Sequence, residues 1–308
     1  MRTCSKLSVL ASAVLATGCF SADLDTDVSG VFVCEVDTEC PLGQGCIDSL
    51  CRDYDEQVGP TVEILDPPML GVFDTGTASI PVSVRGSNLE LSAGDTEGPS
   101  VGYIEVYLDG VLVDAITEGS LEEGVQLQGL SAPEEPGLHH IVLAARHLDG
   151  ERFENDESEA HIAFWIDDGE EQVGILTPAP GSRFQLGTDQ LEVEIAALNF
   201  TFVNPGFIGP SETERSHEGY VHLFVDADVP GCLPECNFDY QTSIIPQGLS
   251  RVNRLRAEQG LLLPDGVGTV TLQIVAQTMA NTPYYREEDP VELVYDEVPV
   301  QSVLGSGT

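Results

Sequence analysis

Residues 62–88 read VEILDPPMLGVFDTGTASIPVSVRGSN, and residues 173–199 read VGILTPAPGSRFQLGTDQLEVEIAALN. The two segments align without a gap, and their identities include Val62/Val173, Ile64/Ile175, Leu65/Leu176, Pro67/Pro178, Phe73/Phe184, Gly76/Gly187, Val82/Val193 and Asn88/Asn199. Their separation exceeds the period of about 20–50 residues that is typical of solenoid repeats. The sequence therefore predicts one domain that occurs twice.

Two further blocks repeat in the same order. Residues 103–109 match residues 220–226, and residues 137–164 match residues 268–295 without a gap. Apolar and polar residues alternate within the blocks, as in strands with one buried face. The alternating apolar positions include Ile80, Val82, Val84, Leu191, Val193 and Ile195. No long window has the apolar period of a helix, and residues 249–259 are expected to form a short helix at most. These patterns predict an all-β fold of antiparallel β-sandwiches.

The opening pattern Ile-x-x-Pro, together with the run G-x-H-x-I-x-L-x-A at residues 137–145, resembles bacterial immunoglobulin-like domains. The resemblance implies two tandem immunoglobulin-like β-sandwiches, which we place at residues 60–168 and 172–298. The acidic segment between them is the expected linker, and residues 299–308 are expected to form a flexible tail. Neither repeat has the Cys…Trp…Cys pattern of antibody domains, so only the architecture is implied.

The first 18 residues have the layout of a secretory signal. Arg2 and Lys6 precede the apolar run LSVLASAVLA, which is too short to span a bilayer. The following LATGC resembles the lipobox of bacterial lipoproteins, although Ala16 stands where that family usually has leucine. The resemblance implies cleavage after Gly18 and lipidation of Cys19, so that the membrane is a partner through the N-terminal lipid. Ordinary cleavage, which would leave Cys19 as a free thiol, is the alternative.

The residues after Cys19 favour an outer-membrane location and an acidic tether. Position 20 is Phe, whereas in that family an Asp there would favour retention at the inner membrane. Residues 19–30 are polar and acidic and are predicted to form a tether. We therefore expect a protein of the cell envelope that is anchored by lipid to the outer membrane, on its periplasmic or its surface-exposed face.

A small module at residues 31–55 is rich in cysteine. It contains Cys34, Cys40, Cys46 and Cys51. A segment this short cannot bury enough apolar area to fold unaided, so disulfides are expected, and the spacing leaves three pairings open. The module resembles Dickkopf N-terminal and EB-type modules, which implies the pairs Cys34–Cys46 and Cys40–Cys51. A zinc site is the less favoured alternative.

A second cysteine pair lies in the second repeat. Cys232 and Cys236 are separated by three residues and are predicted to close a tight structural disulfide. The alternative is a redox couple, but redox motifs usually have two intervening residues beside a βαβ unit. An even number of cysteines after Cys19 agrees with an oxidising compartment.

The charge excludes several partners and mechanisms. The chain has 52 acidic and 12 basic residues, a formal net charge of −40. Removal of residues 1–18 would take away two bases and no acid, which makes the charge −42 and leaves no lysine. Nucleic acids would be repelled because binding to them depends on Lys and Arg. A chain without lysine cannot form a Schiff base, and no signature of a hydrolase, metalloprotease or nucleotide-binding enzyme is present. We therefore expect a protein that is not an enzyme.

Aromatic residues on one strand of each repeat are candidate ligand contacts. Tyr103 and Tyr107 flank Glu105 in the first repeat, and in the second repeat Tyr220 and Phe224 flank His222. If exposed, these faces would bind a glycan or a peptide, with a metal ion conceivable at His222. The alternative is that a second sheet or a loop covers them.

Calcium is the one ion that the acidic composition suggests, and no other cofactor is expected. Dense carboxylates repel one another, and a hard divalent cation relieves that repulsion. The candidate ligands are Asp167, Asp168, Glu170 and Glu171 at the junction of the repeats, and Asp226 with Asp228 in the second repeat. A solvated surface without bound ions is the alternative.

The leading hypothesis is a non-catalytic, lipid-anchored surface protein whose tandem sandwiches serve structural or recognition roles. The alternative is an adhesion or substrate-capture module that binds a surface glycan or a peptide, with or without calcium.

Overall fold

The structure of the chain is a computed structural model. It describes residues 32–33, 44–47, 50–53, 59–94, 98, 100–153, 155–185, 191–207, 217–227, 242–247, 251–257, 267–286 and 292–303. The contacts divide the chain into two units, residues 1–59 and residues 60–308. Regular structure within the described ranges is strand, apart from single 3-10 turns at Asp156–Ser158 and Pro205–Phe207, which confirms the predicted all-β class. No helix in these ranges is long and apolar enough to cross a membrane.

The first unit contains a three-stranded antiparallel sheet. Its strands are β1 (Phe32–Val33), β2 (Gln44–Ile47) and β3 (Leu50–Asp53), in the order β1-β3-β2. Cys46 in β2 lies directly opposite Cys51 in β3. The predicted sites at Cys19, Cys34, Cys40, Cys232 and Cys236 lie outside the described residues, so lipidation and the disulfides remain predictions.

The first repeat folds into two facing sheets. Its strands are β4 (Thr61–Asp66), β5 (Gly71–Asp74), β6 (Ser79–Ser87), β7 (Glu90–Leu91), β8 (Val101–Leu108), β9 (Val111–Ile116), β10 (Val125–Ser131), β11 (Gly137–His147) and β12 (Glu159–Asp167). One sheet has the order β10-β6-β4, and the other has the order β5-β12-β11-β8-β7 with β9 paired to β8. The strand β5 runs parallel to β12.

The predicted alternation places the core between these sheets. Ile80, Val82 and Val84 of β6 face Ile104 and Val106 of β8, and all five are fully buried. The burial of every second residue on both strands fixes the register, because a slip of one residue would turn these side chains toward water.

The second repeat has the same strand order. Its strands are β13 (Gln172–Thr177), β14 (Arg183–Gln185), β15 (Glu194–Leu198), β16 (Thr201–Phe202), β17 (Glu218–Val225), β18 (Thr242–Ile244), β19 (Arg254–Arg256), β20 (Gly268–Gln277), β21 (Tyr285–Arg286), β22 (Glu292–Leu293) and β23 (Tyr295–Val303). The sheets are β13-β15-β19 and β14-β23-β20-β17-β16, with β18 on β17. The peptide bonds Asp66-Pro67 and Thr177-Pro178 are both cis, so the two repeats share this backbone conformation at equivalent positions.

The second repeat also contains an insertion that the sequence alignment conceals. Gly137 pairs with Ile166 in the first sandwich, whereas its counterpart Gly268 pairs with Ser302 in the second. The ungapped match of residues 137–164 to 268–295 is therefore wrong beyond β11 and β20. The additional residues lie in the connection from β20 to β23, which contains the antiparallel hairpin β21–β22.

Two predictions for the second repeat need correction. The predicted flexible tail at 299–308 is wrong for residues 299–303, because β23 continues to Val303 and places Val300 in the core. Residues 304–308 lie outside the described ranges. The short helix expected within residues 249–259 is replaced at Arg254–Arg256 by strand β19, which pairs with β15.

The two sandwiches meet through a small apolar cluster. It joins the outward face of β11 and β12 to β13 and β15, and its buried members are Leu138, Ala163, Trp165, Leu176 and Ala196. Gly174 of β13 lies against Leu138, and a Cβ atom at Gly174 would be 2.4 Å from the Leu138 Cβ. Close approach of the two sandwiches thus depends on a glycine.

Candidate functional site

The outward face of β8 carries a polar network around the first predicted aromatic pair. Tyr103 and Tyr107 are half-buried. The Tyr107 hydroxyl donates a hydrogen bond to Glu105 Oε2 at 2.7 Å, and Arg146 Nε donates to the same oxygen at 2.5 Å. Arg146 is 6% exposed. This face therefore combines an aromatic side chain with a nearly buried ion pair.

The second predicted aromatic pair is not exposed. Tyr220 and Phe224 are 4% and 3% exposed, so the prediction of a second accessible strip is wrong. Phe224 packs with Val275 and with Leu293 of the hairpin, which covers this face. The alternative of a covering loop is the correct one here.

The hairpin explains why the polar network differs between the copies. His222 occupies the position of Glu105, and Gln277 occupies that of Arg146. Both are at most 1% exposed. Burial lowers the pKa of His222 to about 4, so its ring is neutral at pH 7. Uncharged residues suit the covered copy because burying an ion pair costs several kcal/mol per ion in desolvation.

The uncovered face of the first sandwich opens into a cleft of about 310 Å³, the junction cleft. Strands β8, β11 and β12 contribute one wall, and residues 179–183 with Gln301 of the second sandwich contribute the other. The polar side chains that line it include Tyr107, Arg146, Arg152, Glu159, His161 and Arg183. Both sandwiches are thus required to form this site.

The junction cleft is a local basic region in an acidic protein. Arg152 Nη2 lies 3.1 Å from Glu159 Oε1, and Arg146 Nη1 lies 3.9 Å from the same oxygen. Burial lowers the pKa of Arg146, but hydrogen bonds with Tyr107 and Glu105 outweigh it, so that this pKa is raised. Arginine remains charged in proteins at neutral pH. The cleft walls therefore present three guanidinium groups and one carboxylate.

A second, acidic cleft of about 550 Å³ lies at the same junction. His139 Nδ1 is 2.8 Å from Asp109 Oδ2, and Asp109 Oδ1 accepts a hydrogen bond from His140 N at 2.8 Å. Asp296 Oδ2 accepts from Ile175 N at 2.7 Å. Both aspartates therefore hold neighbouring strands by their backbone amides, which is a structural role.

Two ionisable groups in the acidic cleft have raised pKa values. Burial raises the pKa of the Asp296 carboxyl to about 7, although hydrogen bonds from Ile175 and Glu297 act in the opposite direction. Burial lowers the pKa of His139, but its hydrogen bond to Asp109 and the charge of that carboxylate raise it above the ordinary value.

A pair of histidines separates the two clefts. His140 Nδ1 lies 2.8 Å from His161 Nε2, with ring centroids 5.1 Å apart and planes inclined by 14°. These values describe nearly coplanar rings joined edge to edge, so one nitrogen donates and the other accepts. Burial lowers the pKa of His140 to about 3 and that of His161 to about 4. Both rings are therefore neutral at pH 7.

This pair predicts a loss of stability in acid. An unfolded histidine has a pKa of about 6.5. Below that pH the histidines of the unfolded chain bind protons, whereas His140 and His161 of the folded chain stay neutral until the pH approaches 4. The contribution of this pair to stability, present in full above pH 6.5, should fall as pH decreases toward 4, by up to about 1.4 kcal/mol per pH unit for each histidine. The raised pKa values of Asp296 and His139 act in the opposite direction, so the comparison with a variant isolates the pair. Urea unfolding between pH 7.5 and 4.5 measures this. His161→Gln should give a shallower slope, and an unchanged slope would contradict the assignment.

Three of the four predicted calcium ligands at the junction accept hydrogen bonds from protein donors. Asp167 Oδ1 accepts from Asn199 Nδ2 at 3.0 Å, and Asp168 Oδ1 accepts from Gln172 Nε2 at 2.9 Å. Glu171 Oε1 accepts from the Tyr284 hydroxyl at 2.8 Å. The backbone nitrogens of residues 169 and 170 also donate to Asp167 and Asp168, respectively.

The other calcium candidates give a similar result. Asp226 Oδ1 accepts a hydrogen bond from Thr271 N at 2.7 Å, and Asp228 lies outside the described residues. In the part of the chain that the structure describes, no three His, Cys, Asp or Glu side chains are grouped so as to hold a metal ion. Calcium binding therefore remains a prediction.

Sequence reasoning identified Tyr107 but missed the arginines around it. Arg146 lies on β11 and Arg152 follows that strand, whereas Arg183 lies on β14 of the other sandwich. No sequence motif therefore joins the three arginines. The relevant signal is the mismatch between the repeats, in which Glu105 and Arg146 together replace His222 and Gln277. A paired change to opposite charges indicates a contact that is formed in one copy only.

Comparison with known proteins gives only distant similarities. No protein-family description matches it, and no curated protein matches it either. Among solved structures, the Clostridium thermocellum CbhA fibronectin(III)-like modules are similar with 14% identity and a TM-score of 0.24, over 79% of this chain and 95% of that one. The BSP domain of a biofilm associated protein has 11% identity and a TM-score of 0.22, over 80% and 30% of the two chains.

A third similar structure is Bacteroides ovatus SGBP-B in complex with a mixed-linkage heptasaccharide. It has 9% identity and a TM-score of 0.19, over 78% of this chain and 70% of that one. The sandwich architecture of the present chain is established by its own strand order and pairing.

Proposed function

We propose that the protein is a non-catalytic, lipid-anchored protein of the bacterial cell surface whose tandem sandwiches present a recognition site for a surface glycan. The observation that carries the recognition role is the junction cleft, which is formed by both sandwiches and left uncovered in the first one. Within it, the side chains of Tyr107 and Arg146 are held in place by hydrogen bonds to Glu105.

The lipid anchor rests on the sequence. The apolar run and LATGC at residues 15–19 favour cleavage before Cys19 and acylation of its thiol. Several acyl chains give a stable hold on a membrane, where one chain is marginal. Such a hold is needed here because a chain with a formal charge of −40 gains no attraction to anionic lipids.

A Cys19→Ser variant tests the anchor. The native chain should sediment with membranes and give a mature N-terminal peptide whose mass includes acyl chains. The variant should lose both properties, since serine offers no thiol for the diacylglycerol. An unacylated Cys19 in the native chain would overturn the anchor and leave the recognition role standing.

Recognition is tested separately with the soluble Cys19→Ser chain on an array of neutral and acidic oligosaccharides. Binding that falls when Tyr107 is replaced with alanine is the expected result. A protein that binds no member of the array would leave a purely structural role for the tandem.

A further inference from the structure

The junction cleft brings together three of the eleven arginines of a chain that carries 52 acidic residues. Arg146 and Arg152 come from the first sandwich, and Arg183 comes from strand β14 of the second. Glu159 is the one carboxylate among the residues that line the cleft. The local balance of charge is therefore opposite to that of the whole protein.

Two of these arginines have unused capacity for hydrogen bonds. Arg146 Nη1 is buried and has no hydrogen-bond partner among the described residues, since Glu159 Oε1 is 3.9 Å away. Arg183 is exposed and forms no ion pair within the described part of the chain. A buried guanidinium nitrogen without a partner costs free energy, which a bound acceptor would recover.

The remaining walls suit a small hydroxylated ring. Ala144, Ala160 and Pro180 provide apolar surface. The Glu159 carboxylate can accept hydrogen bonds from the hydroxyl groups of a ligand, and the Ser182 hydroxyl can accept or donate them. The volume of about 310 Å³ is near the lower end of ligand pockets, which range from about 300 to 1,000 Å³. The space fits one sugar ring rather than an extended oligosaccharide.

We propose that the junction cleft binds the carboxylate of a single acidic sugar, a hexuronate, with Arg146 and Arg183 as its anion contacts. This inference rests on the proposed recognition function and specifies its ligand class. A guanidinium and a carboxylate pair through short, charge-assisted hydrogen bonds, often two at once, which gives both affinity and orientation. Contacts from both sandwiches mean that the ligand bridges them.

Titration calorimetry of the full chain carrying Cys19→Ser tests the proposal. The probes are D-glucuronate, D-galacturonate and, as a neutral control, D-glucose, all at one ionic strength. At least one hexuronate should bind with a saturable heat, and glucose should bind about tenfold more weakly or not at all, because it lacks the carboxylate that forms charge-assisted hydrogen bonds with the arginines.

Variants of Arg183 locate the site without disturbing the buried Arg146. Arg183→Ala should weaken hexuronate binding about tenfold, and Arg183→Glu should abolish it. Both should keep the native unfolding midpoint because Arg183 forms no ion pair in the described structure. Arg85→Ala, which removes an exposed arginine distant from the cleft in sequence and paired with Glu63, is the matched control and should bind normally.

Failure of this inference differs from failure of the proposed function. Hexuronate binding that survives Arg183→Glu, or no hexuronate binding at all, would overturn the cleft assignment. If array glycans still bind in those cases, recognition stands at another surface. If they do not, the recognition function falls together with the cleft.

Discussion

Replacing Arg286 with alanine is expected to lower the free energy of unfolding by about 3 kcal/mol. Arg286 is 9% exposed, and its Nε and Nη2 donate to the Glu171 carbonyl oxygen at 3.1 and 2.7 Å. Its Nη1 lies 3.2 Å from Asp168 Oδ2. The guanidinium therefore ties the hairpin to the linker between the sandwiches, and its removal leaves a buried carbonyl and a half-buried carboxylate without this donor.

Urea unfolding of the Cys19→Ser chain measures the loss. Arg286→Lys should recover only part of it, because an ammonium cannot reproduce the planar fork of a guanidinium. Arg85→Ala is the matched control, since its side chain and that of Glu63 are both more than half exposed and the pair is worth at most about 1 kcal/mol. Equal losses for Arg286→Ala and Arg85→Ala would contradict the proposed role of Arg286.

Replacing Gly174 with alanine is expected to destabilise the contact between the sandwiches by about 1–3 kcal/mol. The added Cβ would lie 2.4 Å from the Leu138 Cβ and 2.6 Å from its Cδ2, so the strands must separate or Leu138 must move. Leu138→Gly alone should cost about 3 kcal/mol, because it removes a side chain that is 7% exposed from the apolar cluster and places a glycine within a strand.

The double variant distinguishes this clash from general damage. Leu138→Gly removes both the Cβ and the Cδ2 atoms that the new methyl group would meet, so Gly174→Ala with Leu138→Gly should lose less stability than the sum of the two single losses. Leu112→Ala, on the exposed edge strand β9, should give no such rescue. Additive losses in the Gly174/Leu138 pair would mean that the two residues do not meet in solution.

The duplicated fold was predictable because its signal is local and occurs twice. Alternation at Ile80, Val82 and Val84 and at their counterparts specifies strands, and the repeated order of blocks specifies two domains of one architecture. The boundary of the second domain was not predictable in the same way. The ungapped match aligns Phe164, near the end of β12, with Tyr295, the first residue of β23, and this placed residues 299–303 outside the sandwich.

The candidate site was predictable only in part. Tyr107 was identified from its position on an alternating strand, but exposure depends on what covers the strand. That cover is the hairpin β21–β22, whose strands have only two residues each and lack a distinct pattern. The junction cleft brings Arg183 and Arg146 together from different sandwiches, and such a tertiary arrangement has no local signal in the sequence.

The register of the second sandwich also shows how one of its outward faces differs from the corresponding face of the first. Leu138 lies opposite Trp165 on the face that receives the next domain, and the same register positions in the second sandwich hold Thr269 and Gln301. Gln301 Nε2 donates to Thr269 Oγ1 at 2.9 Å. At these positions the second sandwich presents a polar pair instead of an apolar patch, and Gln301 also lines the junction cleft. The apolar contact that joins the two sandwiches is therefore not reproduced at the equivalent positions of the second one, whose side chains satisfy each other by a hydrogen bond.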